Sequence, residues 1–376
     1  MKIAVAIDSF KGSLSSLQAG NAVKEAIWRL DANAEVLVKP LADGGEGTVA
    51  ALAEASDAEM VEIEVNGPLL NPVAAKYCIL KDTNTAVIEM ASASGITLIS
   101  ADERNPLEAT TLGVGELIKD AIKKGCRRFI VGIGGSATND GGTGMLTALG
   151  YEFTDKNDKP VSLGAKGLKD LYKIKADKVI PELKECVFNI ACDVTNPLCG
   201  ENGCSKVFGP QKGATPEMIK NMDAWLETYA TLAKTVSMKA DKDCAGAGAA
   251  GGLGFAFLAF TNATLKSGIE IVLKEIDIES DIKNADIVVT GEGRLDSQTV
   301  MGKAPIGVAR LAKRYGKKVI AFSGCVTEDA EICNEHGIDA FFPVVRGVTT
   351  LEEALDTDNA YKNLSATAYQ VFRLLF

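Results

Sequence analysis

Glycine and charge occur together in a series of short segments along this chain: DSFKGSLS (8–15), LADGGEGT (41–48), GIGGSATNDGGTG (132–144), ACDVTNPLCGENG (191–203), FGPQKGA (208–214) and TGEGRLDSQTVMGK (290–303). Their cations are Lys11, Lys212, Arg294 and Lys303, and their carboxylates are Asp8, Asp43, Glu46, Asp140, Asp193, Glu292 and Asp296. Such a set suits phosphoryl transfer. That reaction asks a protein to position donor and acceptor, to neutralise phosphate charge with Mg²⁺, Lys and Arg, and to take a hydroxyl proton on a carboxylate. Magnesium is held by one or two carboxylates plus phosphate oxygens, so no dense ligand cluster is required. Each residue also has a plainer reading: Asp8 could cap the next helix, Arg294 could sit in a structural ion pair, and Lys11 or Lys212 could be solvated loop charges.

The segment FIVGIGGSATNDGGTGMLTALG is the strongest of these, a buried-type strand that empties into glycines and then into a helix. Glycine lets backbone N–H groups turn toward a ligand, and a helix N-terminus favours an anion. Gly134, Gly135, Ser136, Thr138, Asn139 and Asp140 are the groups it would present. It is neither a Walker-type phosphate loop nor a clean dinucleotide fingerprint. Taken alone it could equally be tight turns between strand and helix.

These loops need elements to carry them. IAVAID (3–8) reads as a strand ending in a carboxylate, and Ala19, Ala22, Val23, Ala26, Ile27 and Leu30 recur at helical spacing. A strand at 35–39, a helix to about 55 and MVEIEV at 60–65 complete a βαβαβ start, the pattern of a parallel sheet. DIVVT (286–290), a helix through Val308 and Leu311, KVIAFSG (318–324) and DAFFPVV (339–345) repeat the rhythm. The expected fold class is α/β with two domains. Residues 1–66 and 285–376 form a discontinuous Rossmann-like, doubly wound, mostly parallel domain, and 67–284 form an inserted mixed α/β domain carrying the glycine-rich phosphate loops. Ligands of open α/β sheets bind beyond the carboxyl ends of strands, where most of these loops fall.

Composition narrows the function. The 376 residues exceed what one core usually serves, and 47% hydrophobic with 24% charged residues is ordinary for a globular enzyme. A net charge of −10 argues against nucleic acid or an acidic membrane as partner. No apolar run is long enough for a bilayer, and the N-terminus reads as a first strand rather than a secretory signal. Nine cysteines without a Cys-x-x-Cys fit reduced thiols and a cytoplasmic location. The single histidine, His336, lies in a charged stretch and is a poor general base.

DSFKGSL, LADGGEGT, IGGSATNDGG with GMLTALG, ACDVTNPLCG, FGPQKGA, GAGAAGGLGFAF and TGEGRLDSQTVMGKAPIGVA occur in one order from end to end, and through them the chain resembles the type-1 glycerate kinases. The resemblance implies an ATP-dependent, Mg²⁺-requiring kinase acting on D-glycerate, with 2-phosphoglycerate the favoured product, and it leaves open a homodimer. Carried onto this sequence, it suggests Asp193, Lys11 and Arg294 as catalytic, with Asp193 the general base. Asp8, Ser9, Asp43, Glu46, Asn196, Gln211 and Lys212 would bind substrate. Gly134, Gly135, Ser136, Thr138, Asn139, Asp140, Gly291, Gly293 and Lys303 would bind ATP or phosphate, and Asp296 with Asp193 would hold Mg²⁺. Two other readings are a kinase for another small hydroxy acid and a non-catalytic sensor of a sugar acid. A nicotinamide dehydrogenase is weaker, lacking the dinucleotide fingerprint.

Overall fold

The computed structural model describes residues 1–45 and 47–376. Among these the first strands are β1 (Lys2–Ile7), β2 (Glu35–Val38), β3 (Ala58–Asn66), β4 (Pro72–Leu80), β5 (Thr85–Glu89) and β6 (Arg128–Gly132). There follow β7 (Glu152–Thr154), β8 (Lys173–Lys175), β9 (Val187–Ala191), β10 (Ala263–Lys266), β11 (Ile287–Leu295), β12 (Lys318–Val326) and β13 (Ala340–Pro343). The chain divides into two compact units. One comprises Met1–Asp43, Ala50–Ser56 and Ile269–Phe376, and the other Gly44–Val49 and Asp57–Gly268.

The first unit is built on a five-stranded, fully parallel sheet in the order β13-β12-β11-β1-β2. Ile3, Val5 and Ile7 alternate onto one face with Val289, Ile320 and Phe322, joining the helices Ser16–Trp28 and Thr357–Phe372 in one apolar cluster. The first of these helices starts where Ser15 and Gln18 exchange side-chain and backbone hydrogen bonds in a capping box. The helix Ala304–Arg314 touches β1, β11 and β12 yet contributes nothing to that cluster, so it covers the opposite face. The strand order reverses between β1 and β11, where a doubly wound sheet opens a crevice at its carboxyl edge.

The second unit carries a six-stranded sheet, β10-β9-β6-β5-β4-β3, and a small β7-β8 hairpin. β10, β9, β6 and β5 are parallel, while β4 runs antiparallel to both of its neighbours, β5 and β3. Its core includes the stacked rings of Phe129 and Phe188, 4.7 Å between centroids, with Phe257 packed on the latter. Phe257 comes from the Gly/Ala-rich run, which forms the buried helix Ala249–Phe260 instead of a linker.

Three segments differ from expectation, the first being Gly44–Val49, expected with residues 1–66 but part of the second unit. Residues 58–66, read as the third strand of a parallel start, form the antiparallel edge of the other sheet. The cause is local: β3 and β4 are joined by the tight turn Gly67–Asn71, whose ends bond to each other, and only antiparallel neighbours can be joined so briefly. Conversely, residues 269–284, expected in the inserted part, belong to the first unit, because the helix Ile278–Asn284 packs on β1 and on Ala304–Arg314.

Candidate active site

In the first unit the residues that end β1 and β11 form a row. Asp8 follows β1, its N–H bonding Gly291 O at 2.9 Å, and it is only 6% exposed. A Cβ at Gly291 would lie 2.0 Å from Phe322 O, so only glycine lets β11 run this close to β12. Beyond it come Glu292, buried, and Asp296, half-buried. Burial, then repulsion from Asp43 and Glu292, push the Asp8 carboxyl up to about 7, against the Ser9 N–H and Lys11. Burial also raises Glu292, although Lys303 lies 3.5 Å away and Thr299 donates a 2.8 Å hydrogen bond. Arg294 is exposed and its Nε meets Asp296 at 3.2 Å, while Lys303 stands 4.0 Å from the same carboxylate. Gly293 brings the Phe10–Lys11 backbone alongside β11. Thr290 Oγ1, also in this row, is buried without a partner among the described residues.

At the carboxyl edge of the second sheet, the Gly44–Gly45 segment crosses the strand ends. A Cβ on Gly44, at φ +89°, would come within 2.5 Å of Gly268 Cα and 2.7 Å of Ala191 Cβ. Glu89, the last residue of β5, accepts from Val49 N at 2.8 Å. Just past β9, Asp193 is exposed, with one oxygen accepting from Gly268 N at 3.1 Å. Past β6, Gly134 and Gly135 are exposed and everything from Ser136 to Asp140 is buried. Lys212, 2% exposed, reaches this loop from its own segment, donating to Ser136 Oγ at 2.8 Å and Thr138 O at 2.7 Å. Its burial pulls the amine down to about 8.

Asp140 departs from its expected role. It is wholly buried, and its two oxygens accept from Thr110 Oγ1, Thr111 N and Oγ1, Gly142 N and Gly144 N. Those last two amides belong to the start of the helix Thr143–Ala148, the same N-terminus that the sequence pattern offered to a phosphate. A carboxylate already occupies it. Asp140 therefore ties the loop to the segment 110–111 and presents nothing outward. Asn139 likewise turns inward, donating to Ser205 Oγ at 2.8 Å, and its Oδ1 has no partner among the described residues.

The structure thus gathers Asp8, Ser9, Lys11, Asp43, Gly291, Gly293, Arg294, Asp296 and Lys303 at one strand edge, and Gly134 to Thr138 with Lys212 at another. Asn196 donates to Asn202 O within its own loop, and Gln211 is exposed. Glu46 lies outside the described residues. Sequence reasoning passed over Glu89 and Thr290, although both are polar residues closing apolar strand runs, the position where sheet-edge ligands bind. Among the described residues no group of three or more His, Cys, Asp or Glu side chains converges to hold a metal by itself, and no helix is long and apolar enough to cross a membrane.

The pattern defining the Glycerate kinase family matches residues 3–376. The chain belongs to the glycerate kinase family. It is 47% identical to a glycerate kinase of Haemophilus influenzae over 375 residues, covering 100% of this chain and 99% of that one. It is also 47% identical to the glycerate 2-kinase of Escherichia coli over 364 residues, covering 97% of this chain and 95% of the relative. A solved structure of a Salmonella typhimurium LT2 protein assigned as glycerate kinase 2 superposes with a TM-score of 0.92 at 47% identity, covering 100% of this chain and 98% of that chain. The two-unit α/β architecture is therefore that of a solved relative.

Proposed function

We propose that the protein transfers the γ-phosphoryl group of ATP to the C2 hydroxyl of D-glycerate, giving 2-phosphoglycerate and ADP. Family membership supports the reaction, and the name of the Escherichia coli relative supports position 2. The observation that carries the chemistry is the carboxylate row at the β1/β11 edge. Burial first, then repulsion from Asp43 and Glu292, pushes the Asp8 carboxyl up to about 7, far from an ordinary carboxylate, and Asp296 adds its charge beside Glu292. Such a row fits a divalent cation. Asp296, with Glu292 near it, would hold Mg²⁺ together with phosphate oxygens, and the ion would shield the β- and γ-phosphate charges when nucleotide is bound.

The chain's own groups supply the rest. Arg294 and Lys11 are exposed cations on this edge, suited to the transferring phosphoryl group or to the glycerate carboxylate. Lys303, at the start of the helix Ala304–Arg314, adds a third cation. Asp193 is the general base: exposed at a strand end and oriented by Gly268 N–H, it can accept the acceptor hydroxyl's proton. All nine cysteines are free thiols, which suits the reducing cytosol we assign as its location.

Phosphorus NMR of the product made from ATP, Mg²⁺ and D-glycerate tests this directly. A single phosphomonoester at C2 is expected. A C3 ester would overturn the position, and ATP turnover only with a different hydroxy acid would overturn the substrate.

A further inference from the structure

We infer that Ser136 and Lys212 form a relay that binds one oxyanion of a substrate, Ser136 touching the anion and Lys212 acting on it through the Ser136 hydroxyl. This rests on the kinase reading and specifies which atoms of the second unit meet the substrate's negative charge. An ammonium group has three protons and no lone pair. The 2.8 Å contact therefore makes Ser136 Oγ the acceptor, and the hydroxyl's own proton must point elsewhere. Among the described residues it donates to nothing. The preceding Gly134 and Gly135 are exposed, and their N–H groups, like that of Ser136, bond to no backbone acceptor among the described residues. Two positions on, Thr138 Oγ1 is fully buried without a partner among the described residues, while the carbonyl of the same residue takes a second Lys212 proton. Donors are thus left over along this loop with no acceptor for them among the described residues.

Electrostatics point the same way. Lys212 is almost wholly buried and makes no ion pair among the described residues. Two titratable groups act on it. Asp140 is committed to Thr110, Thr111, Gly142 and Gly144, and the buried Cys204 thiol is pushed up to about 11 and stays neutral. A buried cation without a partner is costly, and an oxyanion received by Ser136 would supply the missing counter-charge. A serine hydroxyl that accepts from an ammonium is also polarised into a stronger donor. The oxyanion is either a phosphate oxygen of ATP or the carboxylate of glycerate, and both present the same acceptor to this relay.

The test compares wild type, Ser136→Ala, Lys212→Met and the double variant. It measures kcat, the KM of each substrate, calorimetric binding of MgATP and of D-glycerate separately, and the thermal midpoint. Each single variant is expected to weaken one substrate about 10-fold to 100-fold, the worth of a charge-assisted hydrogen bond, with kcat largely kept. The double variant should be no worse than the weaker single one, because Lys212 works through Ser136. A loss confined to MgATP assigns the site to a phosphate, and one confined to glycerate assigns it to the carboxylate. A lower thermal midpoint with both affinities unchanged would overturn the relay, as would losses that simply add. Should Lys212→Met fail to fold, Ser136→Ala decides alone. Should wild type not phosphorylate glycerate, the kinase reading fails, and calorimetry of MgATP and inorganic phosphate against Ser136→Ala still tests the relay.

Discussion

The two sheet edges of this protein bury charge of opposite sign. At the carboxyl edge of the five-stranded sheet, Asp8, Asp43, Glu292 and Asp296 are buried or half-buried, whereas of the cations only Lys303 is half-buried, against Glu292 and Asp296, and Arg294 and Lys11 are exposed, so the negative charge is the one held further from water. At the edge of the six-stranded sheet, Lys212 is buried without an ion-pair partner among the described residues, and the one carboxylate in its loop, Asp140, is saturated by internal donors. Desolvation acts on both edges but disfavours opposite charges. In the proposed reaction the first edge would take a divalent cation and the second an anion, the division of labour that transfer from a metal-chelated nucleotide requires.

That contrast can be broken most forcefully at Asp140. If it is a brace, Asp140→Ala strands several buried donors and should cost about 4 kcal/mol or more in urea unfolding. Near-native stability with lost nucleotide binding would instead return it to the ligand. Next in size, Asp193→Asn should lower kcat about 10²-fold with substrate affinities kept, as removal of a general base does. Turnover close to wild type would remove Asp193 from that role.

The acidic edge is sharpened by Asp8→Asn. With chelator present, deleting a carboxylate held near neutrality by burial and repulsion should stabilise the fold by about 2 kcal/mol. Millimolar Mg²⁺ should then narrow the gap by stabilising wild type alone. A variant less stable than wild type in chelator would mean that the carboxylates do not repel.

The smallest effect concerns Lys212. Its amine sits at about 8 when folded and near the ordinary lysine value when unfolded, so above pH 8 the unfolded chain binds the extra proton and folding stability rises with pH. Between pH 7 and 9 wild type should gain about 1 kcal/mol relative to Lys212→Met in urea denaturation. Parallel curves would show that the amine is not desolvated.

Much of the first sheet was legible in the sequence because its strands begin as short, almost wholly apolar runs that end in a polar residue: IAVAID gave β1, DIVVT gave the first half of β11, whose second half to Leu295 was read as loop, and the helical stripe after Ser15 gave the helix that follows β1. The misplaced strand at 58–66 shows the limit. Its alternation names a strand, but strand direction depends on what the next turn allows, and the turn Gly67–Asn71 turns it back on β4. Likewise, a glycine-rich loop before a helix announces an anion site by composition, whereas whether the helix amides remain free depends on which side chain reaches them first, and here that is Asp140.

By itself the sequence determined the family, the α/β class and the inventory of loop charges, since strand and helix periodicity and ordered motifs are local properties of the chain. Only the tertiary structure decided the burial of each charge, and with it the charge's use. Lys212 and Lys11 look alike as loop lysines, yet one is packed beneath Ser136 and the other stands in water. Removal from water is what turns an ordinary charge into one that a substrate must complete, and that depends on residues distant in sequence coming together.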